Sequence, residues 1–389
     1  MMSMVLPSNR QHKINAPSPI TLPEELIVQI LSMLNVKSLM KLKCVSKSWN
    51  SIISDPFFVK MHLDKSSRIP HMMLFLSHII DRCLYVSLHL SPVRGFLENP
   101  SIDIFNKDSK CQRMEWLSHH RVIGSCNGLV CLLNYCKNEF YLWNPATTRP
   151  FSENLVSYPL AFQHQILYYS DSKVSFGYDN LTNKYKLVAF YSKEVIVFTF
   201  EDNVWKNIKW FSVSYTIKNN GIYLSNSLNW SALLDNKGLY KENLNVEQLV
   251  IISLDLGTET YTKFQFPREF DELLSLVPIV CKLMDSLCFY HYAKEHSFVI
   301  WQMKEFGVEE SWTKFLKFDY HSLSDCSRIV DLLPLHVFEN GDMLILENNV
   351  GKLIRYYRKD NRVVWKPAHT NNCMLFSVIP YVESLVSTF

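Results

Sequence analysis

The chain has 389 residues, 48% hydrophobic and 13% aromatic, enough for a sizeable core and for a small module plus one large or two smaller domains. Its formal net charge of +3 is small for that length and gives no support for nucleic-acid binding, which needs a concentrated basic stripe. No run approaches the length of a membrane span, and the ten cysteines follow a polar start with no apolar signal-like region, so they read as small core residues of a reducing compartment, the cytoplasm and/or nucleus.

Residues 1–20 read as a disordered polar tail. Residues 21–63 carry the one strong helical pattern near the start. Thr21, Pro23 and Glu24 have the spacing of a capping box with Pro in the first turn. Leu26, Ile30, Leu31 and Leu34 follow at helical spacing, and Asn35 breaks the run. A second short helix carries Val36, Leu39, Met40 and Leu42. A third starts near Ser46 and carries Trp49, Ile52 and Ile53. Asp55-Pro56 is expected to stop it, with one more turn or two over Phe57 to Leu63. Three short helices of this size cannot bury all their apolar surface alone. They are therefore expected either to dock on the rest of the chain or to offer an apolar face to a partner. Lys37, Lys41, Lys43 and Lys47 read as a solvated helix face, with steering towards an acidic partner as the sharper alternative.

Residues 64–71 make a plausible linker, and from residue 72 to 389 the pattern changes to short apolar runs broken by polar turns. Units recur with one grammar: strand, small turn, strand, gap, strand, polar turn, last strand. The small turns are placed at Asn127-Gly128, Ser227-Leu228, Asp285-Ser286 and Asn340-Gly341, the first being a strong hairpin signal because both residues tolerate positive φ. Trp205, Tyr261, Trp312 and Trp365 mark the last strands, 56, 51 and 53 residues apart. A period near 50 is that of a four-stranded blade, and five or six units favour a β-propeller over a β-sandwich. Residues 268–278 and 321–334 break the rhythm and are candidate helical excursions on a binding face.

No catalytic constellation is found. There is no HExxH, no P-loop, no dinucleotide fingerprint and no CxxC. Cys126, Cys131 and Cys136 lie five apart, which on strands alternates their faces and spoils convergence on a metal. Cys126 is placed in a hairpin turn with nothing to lower its pKa. His119-His120 reads as a solvated loop, and His291 and His296 as a hairpin turn. The expectation is a non-enzyme with no cofactor and no metal.

The stretch LPEELIVQILSMLNVKSLMKLKCVSKSWNSIISDPFF resembles an F-box in its Leu-Pro opening, Ile-Leu-x-x-Leu run, Lys-Ser-Leu turn, Cys-Val-Ser-Lys-Ser-Trp and Asp-Pro-x-Phe exit. SCNGLVCL with FYLWNPATTRPF, and then VSFGYDNLTNKYKLV, resemble the opening landmarks of the plant F-box-associated interaction domain. The paired glycines of a kelch blade are absent, so the domain is expected to be kelch-like in architecture at most. The resemblance implies a small all-α F-box of three helices followed by a mainly-β, propeller-like domain. It also implies docking to a Skp-type adaptor, and through it a cullin scaffold, in an SCF-type ubiquitin ligase, with the β domain holding an unknown protein substrate. The residues expected to face the adaptor are Leu22, Pro23, Leu26, Ile30, Leu34, Val45 and Trp49, whereas Leu31, Leu39 and Leu42 are expected to hold the helices together. Pro23 would set the helix entry, the aliphatics would supply area, and Trp49 would be a large anchor. The alternatives are an F-box protein that binds without degrading, and a propeller that binds a carbohydrate or another small molecule.

Overall fold

The computed structural model describes residues 22–66, 71–80, 83–93, 112–113, 117, 119–147, 156–157, 173–191, 194–209, 215–217, 220–234, 246–267, 269–270, 277–293, 297–319, 332–347, 352–367, 369–370 and 373–387. The described part opens with four helices where three were expected: α1 (Glu24–Leu31), α2 (Val36–Leu42), α3 (Lys47–Ser54) and α4 (Pro56–Ser66). Asp55-Pro56 does end α3, but it also starts α4. Pro is tolerated at a first helical position, where its missing N–H has no partner to lose. Asp55 Oδ1 then accepts the backbone N–H groups of Phe57 and Phe58 at 2.9 and 3.2 Å. The helix runs through Ser66, into the stretch read as a linker.

Among the described residues six antiparallel sheets follow, the upper of the two expected blade numbers. Blade 2 is built from His120–Cys126, Leu129–Asn134, Glu139–Trp143 and Val156–Ser157. Blade 3 uses Lys173–Asp179, Lys184–Tyr191, Glu194–Thr199 and Val204–Ile208. In blade 4, both Tyr215–Ile217 and Ile222–Leu224 pair with Ser227–Leu234, which Leu249–Asp255 and Tyr261–Gln265 extend. Blade 5 is Ile279–Leu283, Ser286–Ala293, Ser297–Met303 and Trp312–Asp319. Blade 6 is Leu332–Val337, Met343–Glu347, Lys352–Tyr357 and Arg362–Pro367.

Blade 1 is assembled from both ends of the domain. Cys373–Tyr381 pairs antiparallel with His71–Ile80, placing Tyr381 opposite His71; Cys83–Pro92 and Gln112–Arg113 continue the sheet on one side and the short His369–Thr370 pairs with Cys373–Tyr381 on the other. The chain therefore leaves blade 6 and finishes blade 1, so the ring closes by strand pairing instead of leaving an open edge.

The cores lie between blades. Phe140, Leu142 and Cys131 of blade 2 pack with Phe176, Leu187 and Phe198 of blade 3. Trp230 and Ile252 of blade 4 pack with Val188 and Val197 of blade 3. Blades 4 and 5, 5 and 6, and 1 and 2 share cores in the same way. This explains the continuous apolar runs. Leu129–Asn134 is buried at every position, because a strand clamped by a blade on each side has no wet face. Strand Trp312–Asp319 lies at the edge of its sheet and keeps Lys314, Lys317 and Asp319 exposed.

The expected landmarks Trp205, Tyr261, Trp312 and Trp365 all fall on last strands, although three stand at or near the strand start instead of its end. Two of the four small turns are displaced. The blade 4 turn is Ser225-Asn226 (φ 49° and 64°), not Ser227-Leu228, and the blade 5 turn is Met284-Asp285 (φ 49° and 54°), not Asp285-Ser286. Both repeat the paired positive φ of Asn127-Gly128 (51° and 80°), the geometry whose twist matches that of the flanking strands. Most of 268–278 and of 321–334 lies outside the described residues, and Leu332–Val337 is strand.

Candidate functional site: an outward apolar face on the helical module

The helices are short, so their ends matter. Asn35 does break the first run, and it does so as the cap of α2: its Oδ1 accepts Ser38 N–H at 2.8 Å. Ser46 Oγ accepts Trp49 N–H at 3.1 Å and caps α3. The start of α1 differs from expectation. Pro23 is its cap position and no side chain caps it, and Thr21 lies outside the described residues; Glu24 and Glu25 favour the positive end of the helix dipole.

Inside the module, Leu31, Val36, Leu39, Ile52, Ile53 and Phe58 form a buried core, with Leu34, Leu42 and Trp49 partly buried against it. His62 is buried too: its Nε2 lies 2.8 Å from Leu34 O, and its ring stacks on Phe58 with centroids 6.2 Å apart. The core does not close on itself. Leu385, beyond the last strand, is part of it, and Ala146 packs against it.

Outside, a second apolar set does not belong to the core of the described residues. Leu22, Leu26, Ile30, Met33, Val45 and Phe57 are exposed, Leu26 at 44%, Ile30 at 53%, Met33 at 76% and Phe57 at 75%. Leu22, Leu26, Ile30 and Met33 follow the spacing of one helix face. Of the seven residues expected at the adaptor, Leu22, Pro23, Leu26, Ile30 and Val45 are exposed, whereas Leu34 and Trp49 lie half-buried on the inner core. Of the three expected inside, Leu31 and Leu39 are fully buried and Leu42 partly so. Sequence reasoning missed Met33 and Phe57. Met33 lies seven residues from Leu26 and so continues the α1 stripe. Phe57 follows Pro56 in the Asp-Pro-x-Phe exit, where nothing in the pattern said which Phe turns in; Phe58 does.

Elsewhere the titratable groups serve the core. Cys126 closes a strand instead of occupying the turn; it is buried, and that burial pushes its thiol far above the ordinary range, as it does for Cys131. Cys136 is exposed. His291 belongs to a buried strand position, not a hairpin turn, and burial lowers its pKa to about 4. His120 begins a strand beside Asn134 and Tyr141. Among the described residues no group of three or more His, Cys, Asp or Glu side chains gathers as a metal site, and no helix is long and apolar enough to cross a membrane.

Residues 20–64 match the family profile described as F-box-like, and residues 74–388 match the F-box associated beta propeller domain. An F-box/kelch-repeat protein of Arabidopsis thaliana is 26% identical over 329 residues, covering 77% of this chain and 80% of that protein. F-box protein CPR1 of the same plant is 25% identical over 369 residues, covering 86% of this chain and 81% of that protein. Among solved structures, TolB from Acinetobacter baumannii aligns with a TM-score of 0.46 at 10% identity, covering 84% of this chain and 73% of that one. Helical module, ring of blades and matched profiles agree: the chain belongs to the plant F-box proteins that carry an F-box-associated β-propeller domain.

Proposed function

We propose that this chain is the substrate-recognition subunit of an SCF-type ubiquitin ligase, acting in the cytoplasm or nucleus. Its F-box docks a Skp-type adaptor, which ties it to a cullin scaffold, and its propeller holds a protein target. The chain performs no chemistry. It raises the concentration of the target near the ubiquitin-conjugating enzyme.

One observation carries the reading. The module has two apolar faces, and among the described residues the chain covers one of them. Leu31, Leu39, Ile53 and their neighbours are packed inward, while Leu22, Leu26, Ile30, Met33, Val45 and Phe57 remain outward. Leu181, Val204 and Met284 of the propeller are exposed too, but they are far apart in the chain, whereas the six of the module lie within residues 22–57, four of them at the spacing of one helix face, and such a cluster supports a docking role. The blade connectivity supports the place of the target. Turns joining first to second and third to fourth strands share one rim of the ring. Ala146 and Leu385, which touch the F-box, follow a third and a first strand and so lie at that rim. Gln265, Ile279, Asp319 and Leu332 mark strand ends at the opposite one. We assign the target to this free rim.

The test is binding of the purified full chain to purified Skp adaptor, followed by reconstitution with cullin and conjugating enzyme. Saturable, stoichiometric binding and ubiquitin transfer to a co-purified target are the expected results. A chain that is folded by circular dichroism yet fails to bind the adaptor sinks the proposal.

A further inference from the structure

We propose that residues 382–387 are an intramolecular splint. They fix the F-box rigidly to the propeller, so that the adaptor-facing surface and the free rim keep one geometry.

Consecutive residues of this segment are held by different parts of the fold. Ser384 is fully buried against Gly128, where a Cβ in place of the glycine hydrogen would stand 2.2 Å from Ser384 Oγ and 2.7 Å from Val382 O. Leu385 enters the F-box core with Leu31, Val36, Leu39 and Phe58. Val386 turns the other way and packs on the core between blades 2 and 3. The backbone is gripped as well. Asn144, itself buried, donates from Nδ2 to Ser384 O at 3.0 Å and to Val386 O at 2.8 Å. Its Oδ1 accepts Ala146 N–H at 3.0 Å and faces the Tyr381 hydroxyl at 3.4 Å. One amide thus binds the segment on both sides of Leu385 and also shapes the Pro145–Thr147 turn whose Ala146 touches the F-box.

The topology explains why a splint is needed. The F-box enters the propeller at His71, and the strand before the splint ends at Tyr381, directly opposite His71. The incoming and outgoing chains meet at one corner of blade 1. Two bodies joined at one point alone would be free to pivot. A second attachment, anchored by the buried Leu385 and the doubly bonded Asn144 amide, removes that freedom. Fixed spacing matters only if target and ubiquitin-conjugating enzyme must be brought together, so that consequence rests on the proposed function. The attachment itself does not.

The experiment is hydrogen exchange resolved by mass spectrometry on the full chain, with small-angle scattering alongside. In Leu385→Ala, exchange in Val36–Leu42 and Pro145–Thr147 should accelerate at least tenfold, with blades 3 to 6 unchanged. Leu385→Met, which keeps the volume, should restore protection. Asn144→Ala should accelerate 382–387 together with Val36–Leu42. The scattering profile should broaden as the F-box gains freedom. If Leu385→Ala leaves Val36–Leu42 protected as in wild type, or loosens the blades and the F-box equally, the splint is refuted. Adaptor binding, read separately, should change less than threefold, because the outward face is untouched. A wild-type chain that fails to bind adaptor refutes the proposed function and leaves the exchange result standing on its own.

Discussion

The outward face of α1 can be separated from its inward face by two small truncations. Leu26 retains 44% and Ile30 53% of its accessible surface in the folded chain. Full burial of such a side chain is favourable by about 1.5–3 kcal/mol, so a partner covering what remains gains about 0.7–1.3 kcal/mol at Leu26 and about 0.8–1.6 kcal/mol at Ile30. Together this is about 1.5–3 kcal/mol, or about a 10- to 100-fold loss of adaptor affinity in Leu26→Ala/Ile30→Ala. Alanine keeps the helix propensity, and neither side chain belongs to the buried core, so the folding midpoint should hold within about 0.5 kcal/mol. Isothermal titration against purified adaptor reads the first number and urea denaturation the second. Leu31→Ala is the counter-experiment. It lies five residues from Leu26 but is fully buried, and it should cost about 2–5 kcal/mol of stability. The reasoning fails if the double variant binds within threefold of wild type, or if it unfolds as Leu31→Ala does. Trp49 is a poorer probe, since its contact with the inner core mixes folding into any loss of binding.

Asp179 is fully buried, accepting from Thr182 Oγ1 at 2.6 Å and Leu181 N–H at 2.9 Å and pairing with Lys186 Nζ at 3.1 Å, while Lys186 reaches across to Leu256 O in blade 4. Burial acts to raise the carboxyl pKa, but these bonds outweigh it and hold it below the ordinary value. Its stabilisation is therefore present above the unfolded pKa and is lost as pH falls through the folded one. Asp179→Asn should lower urea stability by about 3–5 kcal/mol, and adding Lys186→Met should recover much of it; a loss under 1 kcal/mol would remove the pair from any role between the blades. His291 has the opposite chemistry with the same slope. Burial, then Lys314 and Lys317, lower its pKa to about 4, so between pH 6.5 and 4 the unfolded chain takes a proton that the folded chain refuses. Acid should draw about 3 kcal/mol from this site, and His291→Gln should flatten that part of the stability profile, with an unchanged slope counting against it. Native thiol labelling mapped by mass spectrometry should modify the exposed Cys44 and Cys136 within minutes and Cys126, Cys131, Cys281 and Cys288 only on unfolding. Rapid native labelling of Cys126 would contradict its buried placement.

What could be read from the sequence was local chemistry, and what could not was distance. Asn127-Gly128 was legible because its residue types fit positive φ, but Met284 adopts φ 49° with no residue-type signal, because the strands on either side impose it. Asp55-Pro56 carries two messages: the stop is legible, and the restart only as a turn or two over Phe57 to Leu63, because the Asp55 carboxylate that starts the longer α4 acts on N–H groups two and three residues ahead. Helical periodicity divided the F-box into faces without saying which is inward. That depends on Leu385, more than 300 residues later, and on Ala146. Leu31 and Leu39 are inside as expected, whereas Leu34 and Trp49, expected at the adaptor, are half-buried against the inner core; size and hydrophobicity mark a core residue and an interface residue alike. The spacing of Trp205, Tyr261 and Trp312 revealed a repeat, yet not that Cys373–Tyr381 would complete a sheet begun at His71, since pairing at that separation leaves no local trace.

The same long-range contact bears on how a module of 45 described residues, 22–66, can be stable while leaving an apolar face open. A helical unit of this size is marginal alone, and six large apolar side chains turned to water give it nothing. Leu385 and Ala146 close the inner core from the propeller side, so that face is satisfied before any partner arrives. If the chain docks an adaptor as proposed, the outer face is then left to that contact alone. Had the adaptor been required to complete the F-box core, binding would have to carry the ordering of four helices as well as the contact itself, and each residue ordered costs about 1–2 kcal/mol of backbone entropy. Folding the F-box onto its own propeller moves that cost out of the binding step. It also means that a substitution in the Asn144 turn, far in sequence from the F-box, can act on the F-box without touching either partner.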